Sequence, residues 1–595
     1  AILDKCFGGP LLRVGQDSGL EGNRLYVHPI AEMKTLVVFI CFVAQAVTDD
    51  PAGVVLKTVA AEVTADVSTS PSFRAKTALP GHTITPFHAI NVPSTTRYLL
   101  FQAHTQTLPV SLSYSTQSPA PSSASDTGTN VGLAVLLDAW AVDAVVYVHN
   151  LNQNNVTALL VVSAHGTSEP LPGGCNLEFP VEVSPFLRLS LGSADATLEF
   201  QHASAGAPRE APPPQCDGGL SSFRYDPYLY YLDQWDFSET HYFDALSRML
   251  DPASIRSSAH AVRAYRDNPK TRALFLTYPG EGTIYNVIVR QTTREGQVFE
   301  AAYVPVATYG CLWFSRVEAC NQRGGPWALF MSLLLSLAGL IICFRGHRFF
   351  PFQMFFFGFI ALSLISFMLF TKVTRMSANE GVLAALLGGV LGGIFWMLLW
   401  YFLAIPVLSI VVPGLLLGFL IAAIFLFTPI GEAAFLQNSI SYWIFLGCFT
   451  LVPLLLLLPQ TKMLSILSCS LVGSYCAILA ADVYLGTSLS YIILNVIRRS
   501  LVPGGYSASN QVPFQMNDVL LSLIWAGLCI AGVVLQTWSE RGRAPFPQSP
   551  YQKWLRERSD AGRPLLRTGP APPPYYGAVG DTASPREPPP RYGAL

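Results

Sequence analysis

Few residues in this chain could do chemistry, and they fall into four groups by type and spacing. Of eleven cysteines, only Cys175, Cys216, Cys311 and Cys320 lie in the more polar half, outside a leader region and a set of apolar runs. An even number of cysteines in an exported domain oxidises in pairs. The spacing suits Cys175 with Cys216 and Cys311 with Cys320, the alternative being four buried thiols. Neither pair has the spacing of zinc ligands. Asn155-Val156-Thr157 is an N-x-S/T acceptor on a turn between two strand patterns, which fits glycosylation at Asn155. Asp482 is the acid embedded in a long apolar run, where a carboxylate is costly and functional by default. A transporter or channel would centre on it. Near the C-terminus, Pro572-Pro573-Pro574-Tyr575 and Pro589-Pro590-Arg591-Tyr592 each spell Pro-Pro-x-Tyr. Such segments preset the polyproline II form that WW-domain grooves bind, so a WW-domain ubiquitin ligase is the expected partner there. Chance matches in a disordered proline-rich tail are the bland alternative.

No catalytic constellation accompanies these groups, and no cofactor or metal is expected. Nine of the ten histidines precede the apolar half and are scattered, apart from His82 and His88. An intramembrane metal hydrolase needs histidines within its spans; the spans hold none, and His347 falls in a turn. The net charge of −1 gives no basic field for nucleic acid. A G-protein-coupled receptor is disfavoured, since the third helix is not followed by an acidic-Arg-Tyr triplet and the seventh lacks Asn-Pro-x-x-Tyr. The leading expectation is a non-enzymatic membrane protein, receptor-like or a scaffold, whose ectodomain meets an extracellular or luminal protein. The alternatives kept are a transporter or channel using Asp482 and an atypical seven-helix signalling receptor.

The elements that must position these residues divide the chain sharply. Charged residues make up 13% of the chain, against roughly 25% in soluble domains, and mean hydropathy is +0.38. Residues 1–32 lack periodic pattern and are expected to be an upstream extension. Met33, Lys34, the apolar run Thr35–Val43 and Ala44-Gln45-Ala46 read as a signal peptide over 33–46, cut after Ala46. From 47 to 323 short alternating runs dominate, such as Tyr98–Ser115, Val131–Asn150, Thr157–Gly166 and Leu187–Ala203, bounded by Gly, Pro, Ser and Asn. They suit tandem β-sandwiches over 47–170 and 171–323, with a break at Ser168–Gly174. Ser238–Leu250 has helical spacing with Ser238 as its N-cap.

From 326 to 538 the apolar runs fit seven transmembrane helices of roughly 20 residues. The long uncharged stretch Gly381–Gly431 is expected to break at Ala404-Ile405-Pro406, because the residue before proline disfavours α geometry. Thr487–Arg499 is too short to span and reads as interfacial or re-entrant. Gly388 with Gly392, and Gly389 with Gly393, are small-xxx-small pairs that serve internal packing or a dimer seam. The signal peptide places the N-terminus exoplasmic, and an odd helix count then puts the tail over 539–595 in the cytosol. The expected fold is therefore a membrane α-helical domain in the lipid bilayer, of the cell membrane or endomembrane system, behind an exoplasmic β-rich ectodomain.

Several stretches are also recognisable. Pro172–Phe179, Pro212–Asp217, Gly282–Val289, Gly346–Phe349, Thr487–Val496 and Glu540–Pro547 resemble the transmembrane 7 superfamily member 3 family over about Arg97 to Glu557. The membrane half is similar to the seven-helix domain shared with transmembrane protein 198. The resemblance implies association with cell survival and with dampening of endoplasmic reticulum stress, and no assigned enzymatic reaction or ligand. The tail from Ser559 to Leu595 departs from the family pattern, so its motifs stand alone.

Overall fold

A computed structural model describes residues 58–561 apart from 69, 117–124, 177, 178, 180, 193, 194, 212–215, 217–222, 235, 263–270, 279, 294, 311–325, 374–377, 502–510, 544, 545 and 548. The signal-peptide reading, the Cys311–Cys320 pair and the Pro-Pro-x-Tyr motifs lie outside the described residues.

The alternating runs of the first half form a sandwich of two sheets. One sheet orders Thr83–Ile90 beside Ala144–Asn150, then Val110–Ser113 and Ser125–Gly128; the other orders Ser72–Leu79, Val156–Gly166, Thr96–Thr105 and Asn130–Leu136. Because side chains alternate across a strand, Val156–Gly166 serves two cores. Ala158, Leu160 and Val162 join Phe87, Phe101 and Val148 between the sheets. Leu159 and Val161 point the other way, onto two short helices of the next domain, α1 (Glu239–Ser247) and α2 (Pro252–Ser258). This explains why all ten residues of Thr96–Thr105 are buried.

The second domain packs Arg188–Leu191, Asp195–Glu199 and Arg272–Leu276 against a sheet built on Phe223–Tyr231 and Thr283–Thr292. Phe200, Tyr225, Phe275, Tyr285 and Tyr303 fill its core. Its outer face gives Ile284 and Ile288 to Tyr242, Phe243 and Leu246 of α1, so the helix is wedged between the two domains. The Tyr242 hydroxyl donates to Thr105 O and Asn130 Oδ1, each at 3.1 Å, and fixes the wedge to the first domain. Ser238 occupies the N-cap as its spacing suggests, though its side chain makes no capping bond. One boundary shifts: Leu171–Cys175, part of the expected break, is a strand paired with His202–Ser204.

Among the described residues, five stretches are long and apolar enough to cross a membrane: Phe350–Val373, Glu380–Leu403, Pro406–Phe427, the 47-residue Ser439–Leu485, and Met516–Ser539; Leu329–Arg345 is a shorter apolar helix. By hydrogen bonding the helices are α3 (Pro326–Arg345), α4 (Phe350–Val373), α5 (Ala378–Leu403), α6 (Pro406–Phe427), α7 (Ser439–Leu457), α8 (Thr461–Leu485), the short α9 (Tyr491–Leu501), α10 (Met516–Ser539) and α11 (Pro550–Ala561). The expected break between α5 and α6 falls where the proline rule put it, with Ala404 at φ 48° immediately before Ile405 and Pro406. A 3-10 turn at Leu458–Gln460 separates α7 from α8.

The glycine pairs of α5 pack within the chain. A Cβ on Gly388 would lie 2.1 Å from Ser366 Oγ, one on Gly389 2.1 Å from Ser363 Oγ, and one on Gly392 2.5 Å from Leu362 Cβ. Gly393 meets Phe355 at 2.7 Å, so all four face α4. Close backbone approach replaces the hydrophobic effect, which cannot drive helices together in lipid. Overpacking a tight contact costs about 1–3 kcal/mol, so Gly392→Val should lower the thermal midpoint of the detergent-solubilised protein without changing its oligomeric state. A shift in oligomer size on gel filtration with an unchanged midpoint would reinstate the dimer seam.

Candidate functional site

Polar groups converge where the second β domain meets the helices. The strand Phe223–Tyr231 carries its charged residues, Arg224 and Asp226, in its first half and ends in the aromatic-rich run Tyr228–Tyr231; the chain leaves the sheet at Leu232, and the polar residues that follow turn onto the start of α10. There Gln515 is the N-cap and Asp518 the N3 residue of a reciprocal capping box, satisfying helix-end N–H groups that have no partner within the helix. The Asp518 carboxylate accepts from Gln515 N at 2.7 Å, from Ser488 N at 2.6 Å and from Gln234 Nε2 at 3.1 Å. In return Gln515 Nε2 donates to Leu232 O at 2.9 Å and Gln234 N donates to Gln515 Oε1 at 2.9 Å. Asp518 itself has 0% exposure.

The amphipathic α9 forms the second arm of this junction. Its apolar residues Ile492, Val496 and Ile497 are buried, while Arg498 donates to Thr277 O at 2.9 Å. Arg499 donates to Leu436 O and stacks over the Tyr442 ring at 3.9 Å. Tyr278 of the second β domain meets Tyr491 edge-on at 4.7 Å. The segment expected to be interfacial or re-entrant contains an eleven-residue helix tied to that domain. Between these arms lies a cavity of about 830 Å³, walled by Tyr231 and His260 on the side of the β domain, by Glu432 and Gln511, and by Ile424, Phe427, Phe514 and Trp525 on the helical side.

Glu281 sits 7% exposed at the same junction. Burial, reinforced by the nearby Asp518 carboxylate and opposed by a hydrogen bond from Gln234, raises its pKa to about 8. A carboxyl held neutral beside a carboxylate is a pH-sensitive contact. Just beyond it, Asp233, Asp236 and His241 place ligand atoms within 4.8 Å of one another. Asp236 already accepts from Ser238 N at 2.8 Å and pairs with His241, so this donor set is engaged in starting α1.

Comparison with known proteins now bears on the whole chain. Residues 65–165 match the description "TM7SF3-like, N-terminal immunoglobulin-like domain", 170–314 match "TM7SF3-like, second immunoglobulin-like domain", and 332–537 match "TM7S3/TM198-like domain". Transmembrane 7 superfamily member 3 of Mus musculus is 34% identical over 473 residues, covering 79% of this chain and 83% of that protein. This chain belongs to the transmembrane 7 superfamily member 3 family. The proteins of the same name from Rattus norvegicus and Homo sapiens are 35% and 33% identical over the same 79% of the chain and cover 83% and 82% of their own lengths. The family assignment makes the two β domains immunoglobulin-like and the chain a multi-pass membrane protein.

Within this family frame the expected site residues separate in space. Cys175 and Cys216 form a disulfide with Cα atoms 5.8 Å apart. Asn155 is exposed on the turn before Val156, its Oδ1 accepting from Gly81 N at 3.2 Å. Asp482 is 3% exposed at the last turn of α8 and accepts from Thr487 Oγ1, with Ser490 and Leu489 also bonded to it. Its valences close the loop into α9, which leaves little for a transported ion. The clasp on Asp518 was not among the expected sites, since the seventh span reads as beginning at Val519. The signal for it is the pair of polar residues spaced i, i+3 directly before an apolar run.

A pH dependence follows from Glu281. With an ordinary value of 4.5 and a folded value near 8, its contribution to stability is complete below about pH 4.5 and is lost as pH rises through about 8. The thermal midpoint of the solubilised full chain should therefore fall between pH 5 and 8. Glu281→Gln should flatten that slope and raise the midpoint at pH 8 by a few degrees, in the range where 1 kcal/mol moves Tm by ~2–4 °C. A parallel slope in the variant would remove Glu281 as its source.

Proposed function

We propose that this chain is a non-enzymatic, receptor-like membrane protein whose ectodomain binds a protein partner on the exoplasmic side. The Asp518 clasp passes that event to the helices. The observation that carries the reading is that three segments, Gln234 of the ectodomain, Ser488 after α8 and Gln515 before α10, end on one buried carboxylate. A tether without a signalling role needs no such union. The role that the family resemblance implies, in cell survival and in dampening endoplasmic reticulum stress, is part of this reading.

Seven crossings belong to the same proposal. The 47-residue stretch would be roughly 70 Å long as one helix, more than twice the ~30 Å of hydrocarbon. Leu454 of α7 and Leu464 of α8 both approach the Cβ position of Gly414, at 2.8 and 3.3 Å, which supports a reversal at Leu458–Gln460. α3 supplies another crossing, with its first residues facing the ectodomain. Lys462, which donates to Glu540 O at 2.7 Å, clusters with Arg345, Arg348, Arg541 and Arg543 at the far end, in keeping with a cytosolic face there. Lys372, Arg375, Arg498 and Arg499 count against this orientation by sequence alone, and of these Arg498 and Arg499 are occupied at the junction.

Proximity labelling from each face of intact cells tests the coupling. Gln234→Ala with Asp518→Asn should keep the exoplasmic neighbours and lose cytosolic ones found with the parent protein. If both neighbour sets persist in a variant that reaches the same membrane, the clasp does not transmit. The tail extends the proposal: tandem WW domains would read Tyr575 and Tyr592 from the cytosol. The linker between the motifs contains Gly, Ser and Pro and acts as a flexible spacer that raises effective concentration at the second site. Either Tyr→Ala change alone should weaken WW-domain capture, and both together should abolish it. Unchanged capture by the double variant would reduce the motifs to chance.

A further inference from the structure

The junction cavity has an order of polarity and an unfilled valence that together specify an occupant. It lies between the ectodomain and the ends of α6 and α10, where Tyr231, Gln511 and Glu432 give way to Ile424, Phe427 and Phe514. At about 830 Å³ it is within the ~300–1,000 Å³ range of ligand sites, most of which are apolar with a few placed polar groups. Its position matches the level at which a membrane lipid changes from head to tail, so an amphiphile entering from that leaflet meets each wall in the right order.

The polar end can be read group by group. The Tyr231 hydroxyl donates to Gln511 O at 2.5 Å. Gln511 Nε2 donates to Ala261 O at 3.2 Å and to Glu432 Oε2 at 3.1 Å, and these two acceptors fix which end of the amide carries nitrogen. Gln511 Oε1 is then a buried acceptor with no hydrogen-bond partner among the described residues. Native proteins rarely leave such an atom unsatisfied. The group that meets it must be a donor. A phosphocholine head, which offers acceptors and no donor, does not answer that demand; a hydroxyl or an ammonium does.

We propose that this cavity binds one amphipathic lipid from the leaflet on the ectodomain side, its donor head against Gln511 Oε1 and the Glu432 carboxylate and its apolar body against Phe427 and Phe514. The two sources of that chemistry are a sterol, with a single hydroxyl, and a single-chain sphingoid base, with hydroxyl and ammonium groups. The site is independent of whether the Asp518 clasp transmits a signal.

The test uses the full chain in native membranes with three photoactivatable, clickable probes: a sterol, a sphingosine and a phosphatidylcholine. The sterol or the sphingosine should label peptides from 424–432 or 511–525, should be displaced by its unlabelled counterpart, and should identify which source is used. The phosphatidylcholine should not label these peptides. Gln511→Leu removes the acceptor and should weaken labelling about tenfold, the equivalent of one hydrogen bond to a buried group. Ser522 also lines the cavity, and Ser522→Trp fills it and should abolish labelling. Labelling of these peptides by neither donor-headed probe, equal labelling by phosphatidylcholine, or donor-probe labelling unchanged in both variants would overturn the proposal. The mapping on the parent protein decides the matter even if a variant fails to mature.

Discussion

The Asp518 carboxylate collects an N–H from each of three segments at the place where the second β domain meets the apolar helices. In lipid every polar group must be satisfied internally, so the second β domain can sit on the bundle only where its outgoing chain and the helix ends satisfy one another. The cap of α10, the loop after α8 and the exit from the sheet of that domain therefore form one hydrogen-bonded unit. Removing a partner from such a unit exposes the desolvation cost of the rest, about 1–3 kcal/mol for each buried group left unpaired. The seating of α9, the burial of Glu281 and the shape of the neighbouring cavity all depend on that unit staying closed.

A second polar layer closes the opposite end of the bundle. Gln536 Nε2 donates to Cys343 O at 2.6 Å, and its Oε1 accepts from His347 N at 3.1 Å. Ser465 Oγ accepts from Gln353 Nε2 at 2.9 Å and lies 3.1 Å from His347 Nδ1. Between the layers the backbones approach closely: a Cβ on Gly339 of α3 would lie 2.6 Å from Gly473 O of α8, and one on Gly532 of α10 would lie 2.7 Å from Cys343 O. Small residues set how near the helices come, and the two polar layers set their register along the bundle axis.

Legibility in the sequence follows the range of the interaction. Apolar runs, the Pro406 break and the glycine pairs are local features, and each lies where its residues suggest. Strands such as Val156–Gly166 were visible through their composition, whereas Ser72–Leu79 and Phe223–Tyr231 were not expected, their polar or aromatic-rich patterns lacking a clean alternation. Cys175 and Cys216 are bridged across 41 residues as spacing in an exported domain suggests. The junction was unreadable for a plain reason: Gln234 and Asp518 are 284 residues apart, and no periodicity links them. Asp482 drew attention because it is embedded in an apolar run, yet its hydrogen bonds are to residues within eight positions of it.

The helix wedged between the two immunoglobulin-like domains sets what any partner of this pair of domains would meet. Tandem β domains joined by a bare linker behave as beads on a string, and a partner touching both must first stop their tumbling. Here Tyr242, Phe243 and Leu246 share one core with Leu159 and Val161 on one side and Ile284 and Ile288 on the other. The angle between the domains is thus decided during folding. A partner that spans the elbow meets a surface whose orientational entropy is already spent, and its contacts with both domains count toward affinity from the first encounter.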